Sequence, residues 1–98
     1  MTDLRELARG KYCVLRLPTI CTRDKETTVL CHIKRGWCGS SKPPDVVGVW
    51  GCHACHAVID GRNTHTGWSR EEIDSMILRA LCEQLTWYSD NGYLSWHQ

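Results

Sequence analysis

The run Cys52-His53-Ala54-Cys55-His56 constrains this chain more than any other stretch of it. Two cysteines at that spacing, at the start of a helical segment, can turn both sulfurs toward one tetrahedral zinc. Seven cysteines stand among the 98 residues, and an odd number cannot all pair in disulfides. Met1-Thr2-Asp3-Leu4-Arg5-Glu6 shows no apolar stretch behind a basic start. No signal peptide is expected, and a cytoplasmic location with reduced thiols is. Cys31, in the run Thr28-Val29-Leu30-Cys31, and Cys82, in a helical segment, suit the role of small buried hydrophobes. The pair beside the histidines suits metal instead. Cys13 and Cys21 are its natural completion, with Cys38 as the alternative to one of them, Cys21 first. Four thiolates make a closed structural zinc site with no open position for catalysis.

Two other meanings of Cys-x-x-Cys-His carry less. Attachment of c-type haem through His56 needs a compartment outside the cytosol and leaves Cys13 and Cys21 unexplained. A thioredoxin-like redox pair needs a βαβ context that the element pattern does not provide. A chain of this size buries only about 60–65% of its unfolded surface, so a metal staple would offset a thin core.

With 42% hydrophobic and 23% charged residues, the composition is that of a folded domain rather than a disordered tail. No apolar run approaches the roughly 18–20 residues of a membrane span, so no membrane partner is expected. The formal net charge of +1 hides an asymmetry. Residues 1–44 hold nine Lys/Arg against four acids, and residues 45–98 hold three against seven. A basic half is compatible with a phosphate-backbone partner.

Leu4, Leu7 and Ala8 predict a short first helix ended by Gly10. Tyr12 to Leu17 reads as a strand stopped by Pro18, and Thr27 to Ile33 as a second, stronger strand. Lys34 to Pro44 reads as loop, and Asp45 as the N-cap of a helical turn through Val46, Val47 and Trp50. Cys52 to Asp60 reads as a helix closed by Gly61. Ser69-Arg70-Glu71-Glu72 is a capping box. Behind it Ile73, Met76, Ile77, Ala80, Leu81, Leu85 and Tyr88 form one apolar face, ending near Asn91-Gly92. Tyr93 to Trp96 is a short tail with strand character. The chain is expected to be a single α+β domain over residues 1–98, a β-hairpin followed by a helix and stapled by metal, with flanking N-terminal and C-terminal helices.

His32 ends the second strand, and His56 and Asp60 lie four apart on one helical face. Such a His/Asp pair can chelate a divalent cation while leaving positions for water and phosphate. A neutral imidazole nearby can deprotonate the attacking water.

The order of a cysteine pair, a strand ending in His, a loop, Asp45, then Cys-x-x-Cys-His with a ligand four residues on is similar to the HNH, or ββα-metal, endonuclease finger. Asp3-Leu4-Arg5, Ala8-Arg9-Gly10, Glu26-Thr27-Thr28-Val29-Leu30, His32-Ile33, Cys38-Gly39 and Lys42-Pro43-Pro44-Asp45 join that motif. Together these blocks resemble the small prophage-encoded nucleases of the YbcO type, over residues 3 to about 62. The resemblance implies His32 as general base, Asp45 as the residue orienting it, and His56 as a ligand of a catalytic magnesium or manganese. The last His of the HNH pattern is Asp60 here, which suits the same hard cations. The residue before the base is Cys31, a poor ligand for them.

The function expected is metal-dependent hydrolysis of DNA in a bacterial host cell, with Arg35, Lys42 and Arg62 gripping the backbone. A dimer is compatible with the sequence. The alternative is a non-catalytic zinc module that binds nucleic acid or protein. In it Trp37, Trp68 and Trp96 would make contacts while Trp50 and Trp87 fill the core.

Overall fold

A computed structural model describes residues 3–34 and 43–94. The chain runs through α1 (Leu4–Ala8), a 3-10 turn (Lys25–Thr27), β1 (Val29–His32), β2 (Gly48–Gly51), α2 (His53–Ile59) and α3 (Arg70–Asp90). Asp3 caps α1 by accepting from the backbone N–H groups of Arg5 and Glu6. Cys52 is the N-cap of α2, and Ser69 and Glu72 form the reciprocal capping box of α3. Gly92, at φ +79°, supplies the left-handed turn after α3, and Tyr93 N–H closes it on Tyr88 O at 2.8 Å.

β1 and β2 pair antiparallel, with Leu30 opposite Trp50, Cys31 opposite Val49 and His32 opposite Gly48. The hairpin therefore differs from the expected one. Val47 N–H bonds Pro44 O at 2.8 Å, so the segment after Pro44 is a tight turn that leads into β2 rather than a helical turn. Gly48 and Gly51 bound β2, and both are closely packed. A Cβ on Gly51 would meet Leu15 Cδ1 at 2.8 Å and Cys31 Sγ at 2.9 Å.

Tyr12 to Leu17 is not a strand either. Arg16 turns the backbone left-handed at φ +41°, which extended pairing does not tolerate. The segment is a loop whose Val14, Leu15 and Leu17 are all buried. Its apolar residues point inward without a sheet partner. Val14 N–H bonds Trp50 O at 2.9 Å on the outer edge of β2. From α3, Arg79 donates to Val14 O at 3.1 Å and Leu15 O at 2.7 Å, and Arg16 binds Glu83 through both terminal nitrogens, at 3.0 and 2.7 Å. Tyr93 and Leu94 are not in a strand, and the rest of that tail lies outside the described residues.

Gln84 completes the sheet. It is fully buried; its side-chain oxygen accepts from Trp50 N–H at 2.7 Å, and its amide nitrogen donates to Gly48 O at 2.8 Å. One side chain thus satisfies backbone groups that a third strand would otherwise pair. Trp50 sits at the centre of the core, edge-on to Tyr12, Trp87 and Tyr88 at centroid distances of 5.6, 5.0 and 6.0 Å. No helix among the described residues is long and apolar enough to cross a membrane.

Candidate metal centre and adjoining cavity

α2 joins two clusters. At its start, Cys52 and Cys55 meet Cys13 and Cys21, and all four sulfurs lie within 4.8 Å of one another. Three of the four residues are buried and Cys21 is half-buried. A tetrahedron with metal–sulfur bonds of about 2.3 Å has edges of about 3.8 Å. The Cys52–Cys21 sulfur separation is 3.9 Å, so the donor set suits zinc.

The loops carrying the first pair are shaped around their sulfurs. Arg16 N–H donates to Cys13 Sγ at 3.4 Å and Arg23 N–H to Cys21 Sγ at 3.3 Å. Both donors have left-handed backbones, with Arg23 at φ +58°. Such strain in non-glycine residues persists where the surroundings enforce it. The Cys55 thiol donates to Cys13, which lowers Cys13 to about 5 and pushes Cys55 up. That contact favours thiolate, the form that binds metal, at Cys13, while burial raises Cys21.

Cys31 stands apart. Burial, reinforced by the negative charge of nearby sulfurs, pushes its thiol up to about 12, and it packs beneath Gly51 as a neutral core residue. Cys38, the alternative zinc ligand, lies outside the described residues, as do Arg35, Lys42, Trp37 and Trp96. Trp68 is half-buried, and its Nε1–H donates to Pro18 O at 3.3 Å, so it braces the loop before Cys21.

The second cluster opens to solvent. Arg5, His32, Lys34, His56 and Asp60 line a cavity of about 380 Å³ floored by Val29 and Leu30. His32 Nε2 lies 2.8 Å from Asp45 Oδ1. Because the carboxylate accepts, this nitrogen carries the hydrogen and the lone pair is left on Nδ1. The bond to His32 is the main cause holding the Asp45 carboxyl below its ordinary range; Arg5, with Nε at 3.6 Å, adds to it. Across the cavity, His56 Nε2 is 3.1 Å from Asp60 Oδ2. That is an ordinary hydrogen-bonding distance, and an imidazole nitrogen beside a carboxylate oxygen is a donor pair that could hold a divalent cation. Burial lowers His56, against the opposing pull of Asp60, and so favours its neutral form. Arg62 pairs with Asp60 at 3.5 Å on the rim.

Among the described residues, no group of three or more metal-ligating side chains other than the cysteines comes together. Arg5 and Lys34 are the cavity residues that sequence reasoning missed. Lys34, two residues after His32, continues the period-2 alternation of β1; Arg5 reaches the cavity only through the packing of α1 on β1.

Among the described residues the structure thus defines a small α+β fold: a two-stranded sheet and three helices, a four-cysteine cluster able to hold a metal, and a histidine–aspartate cavity. Residues 2–86 match the family model described as "Putative nuclease YbcO", and the chain belongs to that family. It is 46% identical to the protein of that name from Escherichia coli K12 over a 76-residue alignment, covering 72% of this chain and 78% of the relative. A relative from Enterobacteria phage 82 carries the same name and matches over the same extent. A solved structure of an Escherichia coli K-12 MG1655 protein, described as "a putative bacteriophage protein", aligns with a TM-score of 0.76 at 29% identity. That alignment covers 92% of this chain and all of the other.

Proposed function

We propose that this chain is a metal-dependent DNA endonuclease, a single HNH-like domain over residues 1–98 with a structural zinc on Cys13, Cys21, Cys52 and Cys55. One observation carries the reading. The His32–Asp45 and His56–Asp60 pairs stand on β1, the turn before β2, and α2 with its C-cap, with His32, His56 and Asp60 around one open cavity. The family's name supports nuclease chemistry in general.

In this mechanism Asp45 holds the His32 ring, and Nδ1 takes the proton of the attacking water. The new bond forms between water oxygen and phosphorus as the phosphorus–O3′ bond breaks in line. Arg5 and Lys34 hold the phosphate oxygens in the cavity and balance the charge that develops on them. Magnesium or manganese on His56 and Asp60 would supply further positive charge beside the phosphate and the leaving oxygen. Arg62, with Arg35 and Lys42, grips the flanking backbone without reading sequence.

The test is nicking of supercoiled plasmid by zinc-loaded protein, with and without added magnesium or manganese. Nicking that needs the added cation is expected. A second reading draws on Cys31: the residue before the base is a buried thiol facing away from hard-cation chemistry, which leaves two protein ligands for that ion among the described residues. DNA binding without nicking under any divalent cation would favour this degenerate, non-cleaving zinc module.

A further inference from the structure

A separate groove of about 390 Å³ is lined by Tyr12, Cys13, Arg16, Arg23 and Lys25. It shares no lining residue with the His32 cavity. Cys13 forms part of its wall, while the α2 helix that supplies Cys52 and Cys55 presents His56 and Asp60 to the cavity. The cluster therefore links the two openings.

The wall of the groove contains three cations and no carboxylate. Arg16 is committed to Glu83 and serves as structure. Arg23 and Lys25 make no ion pair with a carboxylate among the described residues. Asp24, which separates them in sequence, caps the 3-10 turn instead, accepting from Glu26 N–H at 3.0 Å. The chain thus alternates cation, inward-capping acid, cation, and only the cations face the groove. The backbone that carries them is ordered in advance. Arg23 has a left-handed backbone bonded to Cys21 Sγ, and Lys25 opens the capped turn. Cations held in place by the backbone lose less entropy on meeting an anion than those on a free loop.

We propose that this groove is a second nucleic-acid subsite, in which Arg23 and Lys25 bind backbone phosphates of the DNA flanking the segment held in the His32 cavity. The proposal rests on the endonuclease reading for its partner. It adds a contact made through phosphate charge alone, without base readout.

The experiment measures binding of zinc-loaded full-length protein to a fluorescein-labelled 15-base-pair duplex. Salt runs from 50 to 200 mM, with no divalent cation added. The variants are Arg23→Gln/Lys25→Gln and, as a charge control on α3, Arg70→Gln. Each phosphate contact contributes about −0.9 to the log–log salt slope, so the double variant should be shallower by about 1.8. Across that salt range the wild-type protein should lose about twelvefold more affinity than the double variant, with equal zinc content and melting temperature. An unchanged slope, or an equal change in Arg70→Gln, would overturn the subsite, as would wild-type protein that binds no DNA. Plasmid nicking, measured separately, keeps the two claims apart. Nicking with an unchanged slope removes the subsite and leaves the nuclease; a changed slope without nicking does the reverse.

Discussion

Cys52 and Cys55 open α2, His56 and Asp60 close it, and the two ends of this seven-residue helix have opposite characters. The sulfur end is closed: four ligands converge, three of their residues are buried, and two receive backbone N–H groups. The imidazole end is open: His56 and Asp60, 3.1 Å apart, face an open cavity that Arg5 and Lys34 also line. In the proposed reading, ligand number and burial divide the labour. A saturated site can hold a fold together and has no position left for substrate; a half-saturated one can admit a phosphate but adds little to folding.

The largest effect that would break this contrast lies at the sulfur end. Cys55→Ala should lose zinc and the cooperative melt together. Structural zinc contributes on the order of 10 kcal/mol, comparable with the whole stability of a domain of ~5–15 kcal/mol. Metal analysis and circular dichroism check this, and a folded, zinc-free variant would show that the cluster is no staple. At the imidazole end, His56→Ala should cut cation-dependent nicking by about 10²-fold or more while zinc content and melting stay unchanged. Excess manganese should restore part of the activity. Asp60→Ala should follow in the same direction with a smaller loss, as the imidazole remains.

Away from both ends, Gln84→Ala should cost about 3 kcal/mol in urea unfolding, because it strands Trp50 N–H and Gly48 O in the core. That loss should spare zinc binding in the folded state. The smallest effect concerns pH. Arg16, hydrogen-bonded to Glu83, holds that carboxyl below its ordinary range, against the opposing effect of burial. A depressed carboxyl contributes stability that is complete above about pH 4.5 and lost as pH falls through its lower folded value. Glu83→Gln should therefore cost about 0.5 kcal/mol near neutrality, screening included, and the difference should vanish in acid. Urea midpoints across pH 3–7 measure it.

The sequence makes the helices legible because their signals are local. Ser69 and Glu72 mark the start of α3, and Cys52 and Gly61 bracket α2. The chemistry-bearing spacings are legible too: His56 and Asp60 meet as their four-residue separation requires, and Cys13 and Cys21 reach the Cys52 pair. The hairpin is not, because its second strand is bounded by Gly48 and Gly51, whose use depends on what packs above them. The first expected strand misleads for the complementary reason: Val14, Leu15 and Leu17 are apolar because they fill the core from a loop that α3 clamps. Gln84 falls at helical spacing between Ala80 and Tyr88, but polarity hides it from an apolar-face reading. Its role depends on an unpaired sheet edge that only the assembled fold creates.

The most direct measurement compares plasmid nicking by zinc-loaded wild-type protein and His32→Ala in magnesium or manganese, with zinc content and melting temperature recorded on the same preparations. The account predicts a loss of about 10²–10⁴-fold in nicking for His32→Ala, with both structural readings unchanged. Equal nicking by the two proteins would contradict the assignment of His32 as the base and, with it, the division between a closed sulfur site and an open catalytic one.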